Sequence, residues 1–165
     1  MEIPLYLRGL ASEAPNDYLA TNPKHQLYVQ DAAVAILNED SSSANIDAVV
    51  DALLEWENEV PLALHLAAKL AKSRQVITGL ERHTKLSVVF AVYKENHRLL
   101  TPEEHPSGED FLRRKVAQLE WLATASPKLS WELVAVDDGC PEGSGQLIED
   151  LAWSENLSNV RVLRL

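Results

Sequence analysis

The sequence predicts an α/β protein, with a partial Rossmann-like parallel sheet and flanking helices over residues 81–165, preceded by a helical region over residues 1–80. Three observations carry this reading. Apolar positions up to about residue 80 recur at helical spacing. From residue 86, β-branched apolar runs alternate with amphipathic stretches. The resulting order of strand, helix, strand, helix, strand is that of right-handed crossover units.

In the helical region, LYVQDAAVAIL (residues 27–37) predicts a first helix. Asn45 offers a cap for a second, in which Ile46, Val49, Val50, Leu53 and Leu54 share one face. Pro61 suits the first turn of a third, with Leu62, Leu66 and Leu70 on its inner face and Gly79 as its stop. These helices are acidic and hold no cluster of catalytic residue types, so the region reads as a small bundle serving the second half or a partner.

LSVVFAVY (residues 86–93) is a continuous apolar run, expected as a strand buried on both faces of a parallel sheet. A polar stretch follows. A helix is then expected from Glu109 to Ala123, with Phe111, Leu112, Val116, Leu119 and Leu122 inward and Glu109 and Asp110 in its first turn. The basic run Arg113, Arg114 and Lys115 reads as a solvated helix face paired at i,i+4 with those acids. WELVAV predicts the second strand, GQLIEDLAW the second helix and VRVLRL the third strand. Tryptophans 56, 121, 131 and 153 sit on apolar faces or element edges, so core packing is expected for them.

Composition narrows the function classes. A hydrophobic fraction of 46% with 24% charged residues can bury a core, and a formal charge of −10 opposes nucleic acid and anionic membrane. No stretch reaches the roughly 20 apolar residues that span a bilayer, and no signal peptide is read at the start. One cysteine, Cys140, excludes an internal disulfide and fits a reducing compartment, so a cytoplasmic location is expected. The five histidines lack metal-ligand spacing, and Ser144 has no evident His partner for nucleophilic catalysis.

The chemistry concentrates at two strand ends. Ligands of open α/β sheets bind outside the carboxyl ends of strands. Those ends are Ala91-Val92-Tyr93-Lys94-Glu95-Asn96 and Asp137-Asp138-Gly139. If the strands are neighbours, Tyr93, Glu95 and Asp138 converge: the ring stacks on a nucleobase and the carboxylate accepts its ring N–H. Gly139, Gly143 and Gly145 would let the backbone approach the ligand, and the following helix N-terminus would face an anion. The same residues also fit a plain Asp-Gly turn with acids serving the helix start. Spacing alone favours the turn over the site. The glycines form neither a Walker loop nor a G-x-G-x-x-G fingerprint, and Asp137, Asp138 and Glu142 do not follow a calcium-loop pattern.

SVVFAVYKEN, a helix, ELVAVDDGCPEGSGQLIEDLA and NVRVLRL together resemble the opening of glycosyltransferase family 2, inverting sugar transferases of the GT-A fold. The likeness covers residues 86–165. It implies the N-terminal half of a GT-A nucleotide-sugar-binding domain and a UDP- or GDP-linked sugar as ligand. Ala91, Tyr93 and Glu95 would line the nucleotide pocket, Asp138 would hold the base, and Asp137 and Gly139 would shape the loop, with Asp137 as its brace. Ala91 stands for the family's proline, Lys94 for its asparagine, Cys140 for its serine and Glu142 for its aspartate. An insertion around Pro102 to Ser107 follows the first strand. The resemblance also implies Mg²⁺ or Mn²⁺ for a complete enzyme, held by an Asp-x-Asp motif beyond the matched stretch, and an acceptor base further on. The residues present are therefore expected to bind nucleotide without a metal and without catalysing transfer alone. A second expectation, of a different class, is a non-catalytic interaction module. Homo-oligomers would then form through the open sheet edge or the helical region.

Overall fold

The computed structural model describes residues 4–39, 43–56 and 59–165. The chain divides into two compact units, Met1–Gly79 and Leu80–Leu165.

The first unit is helical: α1 (Leu5–Glu13), α2 (Pro23–Glu39), α3 (Ser43–Glu55) and α4 (Leu62–Thr78). α1, which the periodicity did not reveal, buries Leu7 and is tied to α2 by Tyr28 Oη donating to the Leu10 carbonyl at 2.8 Å. Burial, with Glu13 nearby, pushes the Tyr28 phenol up to about 12. α4 packs on both α2 and α3. Its inner face is not the expected leucine stripe. Ala63, Leu64, Ala67, Ala68 and Ala71 are buried, while Leu62 is 58% exposed. α2 answers with Ala32 and Ala33, and small side chains let two helix backbones approach closely. On α3, Ile46, Val49 and Leu53 are buried as expected, but Ala52 joins them and Leu54 is exposed. Asn45, expected as a cap, lies inside α3. Pro61 stands one position before α4 with φ −58°, and the Gly79 N–H closes the helix on the Gln75 carbonyl.

The second unit is α/β: β1 (Thr84–Val92), a short helix α5 (Asn96–Leu99), α6 (Phe111–Ala123), β2 (Leu129–Asp137), α7 (Ser144–Ser154) and β3 (Val160–Arg164). Its three strands are parallel in the order β1-β2-β3, with Val92 level with Asp137 and Asp137 level with Arg164. This arrangement is compatible with a Rossmann-like sheet. α6 and α7 both pack on one face: Leu112, Val116, Leu119 and Ile148 meet Val92, Trp131, Leu133, Ala135 and Val160 in a single core. Each fully buried leucine or isoleucine there contributes roughly 1.5–3 kcal/mol.

Strand alternation places Lys85, Ser87, Val89, Ala91, Glu132, Val134, Val136, Arg161 and Leu163 on the opposite face. On this face Val89 and Leu163 are exposed, while Val134 of the central strand is buried. β1 was expected to be buried on both faces. It is instead an edge strand with Val89 62% exposed, because both crossover helices chose the other side. The polar end of this face is organised by Glu132, which accepts from Ser87 Oγ (2.6 Å), Lys85 Nζ (2.9 Å) and Arg161 Nε (3.2 Å). Those three donors, with Ser87 the largest influence, hold its carboxyl down at about 2.

Three further expectations are corrected. α6 starts at Phe111, so Glu109 and Asp110 precede its first turn; they pair with Arg98 and Arg113 respectively, the latter at i,i+3. Arg114 Nη1 donates to the Glu109 carbonyl rather than to a carboxylate. Trp153 on α7 is 89% exposed, far from a core position. Among the described residues no helix is long and apolar enough to cross a membrane.

Candidate functional site: the joined tips of β1 and β2

The carboxyl ends of β1 and β2 lie side by side because the strands pair in parallel through Val92 and Asp137. Beyond them the two loops are stapled together. Lys94 N–H donates to Cys140 Sγ (3.2 Å), Glu95 N–H to Ser144 Oγ (3.0 Å), and Asn96 Nδ2 to the Glu142 carbonyl (2.8 Å). The staple connects positions 46 to 49 residues apart in sequence, so only the paired sheet brings them together.

Each predicted site residue has a definite place. Ala91 lies near the end of β1 on the open face. Tyr93 follows β1 and is 55% exposed, and its ring carries Lys94 Nζ 5.8 Å from the centroid. Asp138 is exposed, and no described residue hydrogen-bonds to its carboxylate. An exposed ring and an unengaged acceptor thus stand on neighbouring tips. Glu95, by contrast, is drawn away into an ion pair with Arg98 Nη1 (3.0 Å).

Asp137 is buried and structural. Its Oδ1 accepts the Cys140 N–H at 2.7 Å, and α7 runs close against its other oxygen. Gly145 was expected to make room for a ligand. It makes room for Asp137 instead, since a Cβ there would stand 2.3 Å from Asp137 Oδ2. Gly139 and Gly143 turn the chain with φ values of 68° and 70°, which only glycine adopts without cost.

Sequence reasoning missed the two side chains that hold the tips together. Ser144 is fully buried, accepts the Glu95 amide and lies 3.3 Å from Cys140 Sγ. The Ser144 hydroxyl, then the backbone amides of Lys94, Ser144 and Glu142, pull the Cys140 thiol down to about 7. A Ser at a helix start gives no sign of a partner on another strand, so no local signal marked it. The insertion after α5 is a closed turn: Thr101 and Glu104 exchange hydrogen bonds, and Asp110 N–H returns to the Leu100 carbonyl at 2.9 Å.

Among the described residues no group of three or more His, Cys, Asp and Glu side chains is placed to hold a metal ion. Asp137 is committed to the loop, while Asp138 and Glu142 are exposed and their carboxylates bond to no described residue. No protein-family model, no curated protein and no solved structure matches this chain.

Proposed function

We propose that residues 80–165 form the nucleotide-binding part of a family-2-like glycosyltransferase of GT-A type, which takes a UDP- or GDP-linked sugar. The observation that carries this reading is the placement of Tyr93 and Asp138 on adjacent, stapled tips, with the ring exposed and the carboxylate unengaged. Tyr93 stacks on the base, and Asp138 accepts the N–H that uracil and guanine, unlike adenine and cytosine, carry on the ring edge. A charged acceptor makes that bond roughly twice as strong as a neutral one. Sugar transfer would in addition need a metal to offset charge on the leaving diphosphate and a base for the acceptor hydroxyl. The resemblance puts the residues for both beyond the matched stretch, so the role proposed for residues 81–165 is binding of the donor nucleotide.

Calorimetric titration with UDP and GDP, with and without Mn²⁺, tests the reading. Binding is expected without Mn²⁺, and Asp138→Ala should weaken it by about ten-fold or more, the worth of a hydrogen bond to a charged group. Affinity that Asp138→Ala leaves intact removes the base-binding role.

A second reading, a protein-interaction module, is favoured by the open sheet face around Val89 and Leu163 and by the unpaired outer edge of β1. Light scattering after size-exclusion chromatography addresses it. A monomer at every concentration, in wild type and Val89→Glu alike, counts against self-association through this surface.

A further inference from the structure

Lys94 is an odd residue for its place. Three non-glycine residues of the described chain have positive φ: Asp110, Asn156 and Lys94, the last at 57°. Asp and Asn tolerate the left-handed region because their short polar side chains bond locally, whereas a lysine has no such compensation. Its charge is also uncommitted. In the same unit Lys85, Arg98, Arg113, Arg161 and Arg164 pair with carboxylates, and Arg114, Lys115 and Lys128 bond to carbonyl or amide oxygens, while Lys94, like Arg82, has no ion pair among the described residues. The contact it does make is with the Tyr93 ring, 5.8 Å from Nζ to centroid. In a chain of net charge −10, a strained position thus keeps a free cation at the tip beside Tyr93.

We propose that Lys94 is the phosphate-binding cation of this site. Its ammonium rests over Tyr93, then swings to the diphosphate of an entering nucleotide, which bares the ring for the base. The backbone is pinned by the Lys94 N–H bond to Cys140 Sγ, so the move is confined to the flexible side chain. This inference rests on the base-binding reading of Tyr93 and Asp138, and it adds a group that recognises the phosphates without a metal.

The test compares nucleoside with diphosphate on the full chain by calorimetry in low salt without divalent ions, using uridine, UDP, guanosine and GDP. Wild type should prefer the diphosphate over its nucleoside by about five-fold, the upper range for an exposed ion pair, and the preference should fade as salt is raised. In Lys94→Asn, which suits the left-handed backbone and so keeps the fold, that ratio should fall to near one. Tyr93→Ala should weaken nucleoside and diphosphate together. A Lys94→Asn protein that keeps the wild-type ratio overturns the inference while leaving the base-binding reading standing. Wild type that binds none of the four compounds overturns both.

Discussion

Replacing Gly145 by alanine probes the joint beneath the site. The added Cβ would lie 2.3 Å from Asp137 Oδ2 and 2.9 Å from Asp137 Cβ and Cγ, well inside contact distance. Asp137 has little room to retreat: it is buried at the end of β2, its Oδ1 holds the Cys140 amide at 2.7 Å, and its carbonyl accepts the Leu165 N–H at 3.1 Å. Overpacking costs roughly 1–3 kcal/mol. Displacing the carboxylate from the Cys140 amide adds up to about 1.5–3 kcal/mol. Against these, alanine gains at most about 1 kcal/mol of helix propensity in α7. The expected net loss is about 2 kcal/mol, which lowers the urea midpoint by about 1 M for a slope near 2 kcal/mol/M. Urea unfolding is best followed by the fluorescence of Trp121, Trp131 and Trp153, which belong to this unit, in a Trp56→Phe background. In an Asp137→Ala background the Gly145→Ala penalty should shrink, because the 2.3 Å contact is gone. A Gly145→Ala protein as stable as its parent, or more stable, refutes the close approach and leaves helix propensity as the winning term.

Alkylation of Cys140 by iodoacetamide should rise with pH around a midpoint near 7 instead of 9, and Ser144→Ala should move that midpoint upward. Because the folded thiol is the more acidic form, its contribution to stability is fully present above pH 9 and is lost as pH falls through about 7. Glu132 follows the same sign at lower pH: its contribution is complete above 4.5 and disappears as pH falls through about 2. Glu132→Gln should therefore flatten the stability–pH curve between those values, as measured by urea midpoints. In the helical unit, Ala67→Leu should cost about 1–3 kcal/mol by overpacking the α4 face, while Leu62→Ala should cost under about 0.5 kcal/mol, both read by thermal unfolding.

The strands were legible because β-branched apolar runs admit few other structures: β1, β2 and β3 overlap LSVVFAVY, WELVAV and VRVLRL, with β1 and β2 each starting two residues earlier and β1 ending before Tyr93. What a strand's faces meet was not legible. Val89 looks like a core residue in sequence, and its exposure depends on which side α6 and α7 take. α4 offers two stripes at the same period, and periodicity favours Leu62, Leu66 and Leu70; close backbone approach selects the alanines. At the site, Tyr93, Asp137 and Asp138 could be named from the two tip motifs. The Cys140–Ser144 staple could not, since it joins atoms whose proximity is created by strand pairing. Gly145 was singled out for the right property, tolerance of a close neighbour, with the wrong neighbour in view.

The staple has a consequence for how any ligand is felt. Its partners meet only across a 46-residue separation, so they are absent until β1 and β2 have closed that loop, a slow step for non-local parallel pairing. The nucleotide proposed to bind between the tips would not be retained by a partly opened form. Its binding free energy is therefore added to the global opening of the α/β unit, and amide exchange deep in β2 should slow on saturation as much as exchange at Lys94 and Glu95.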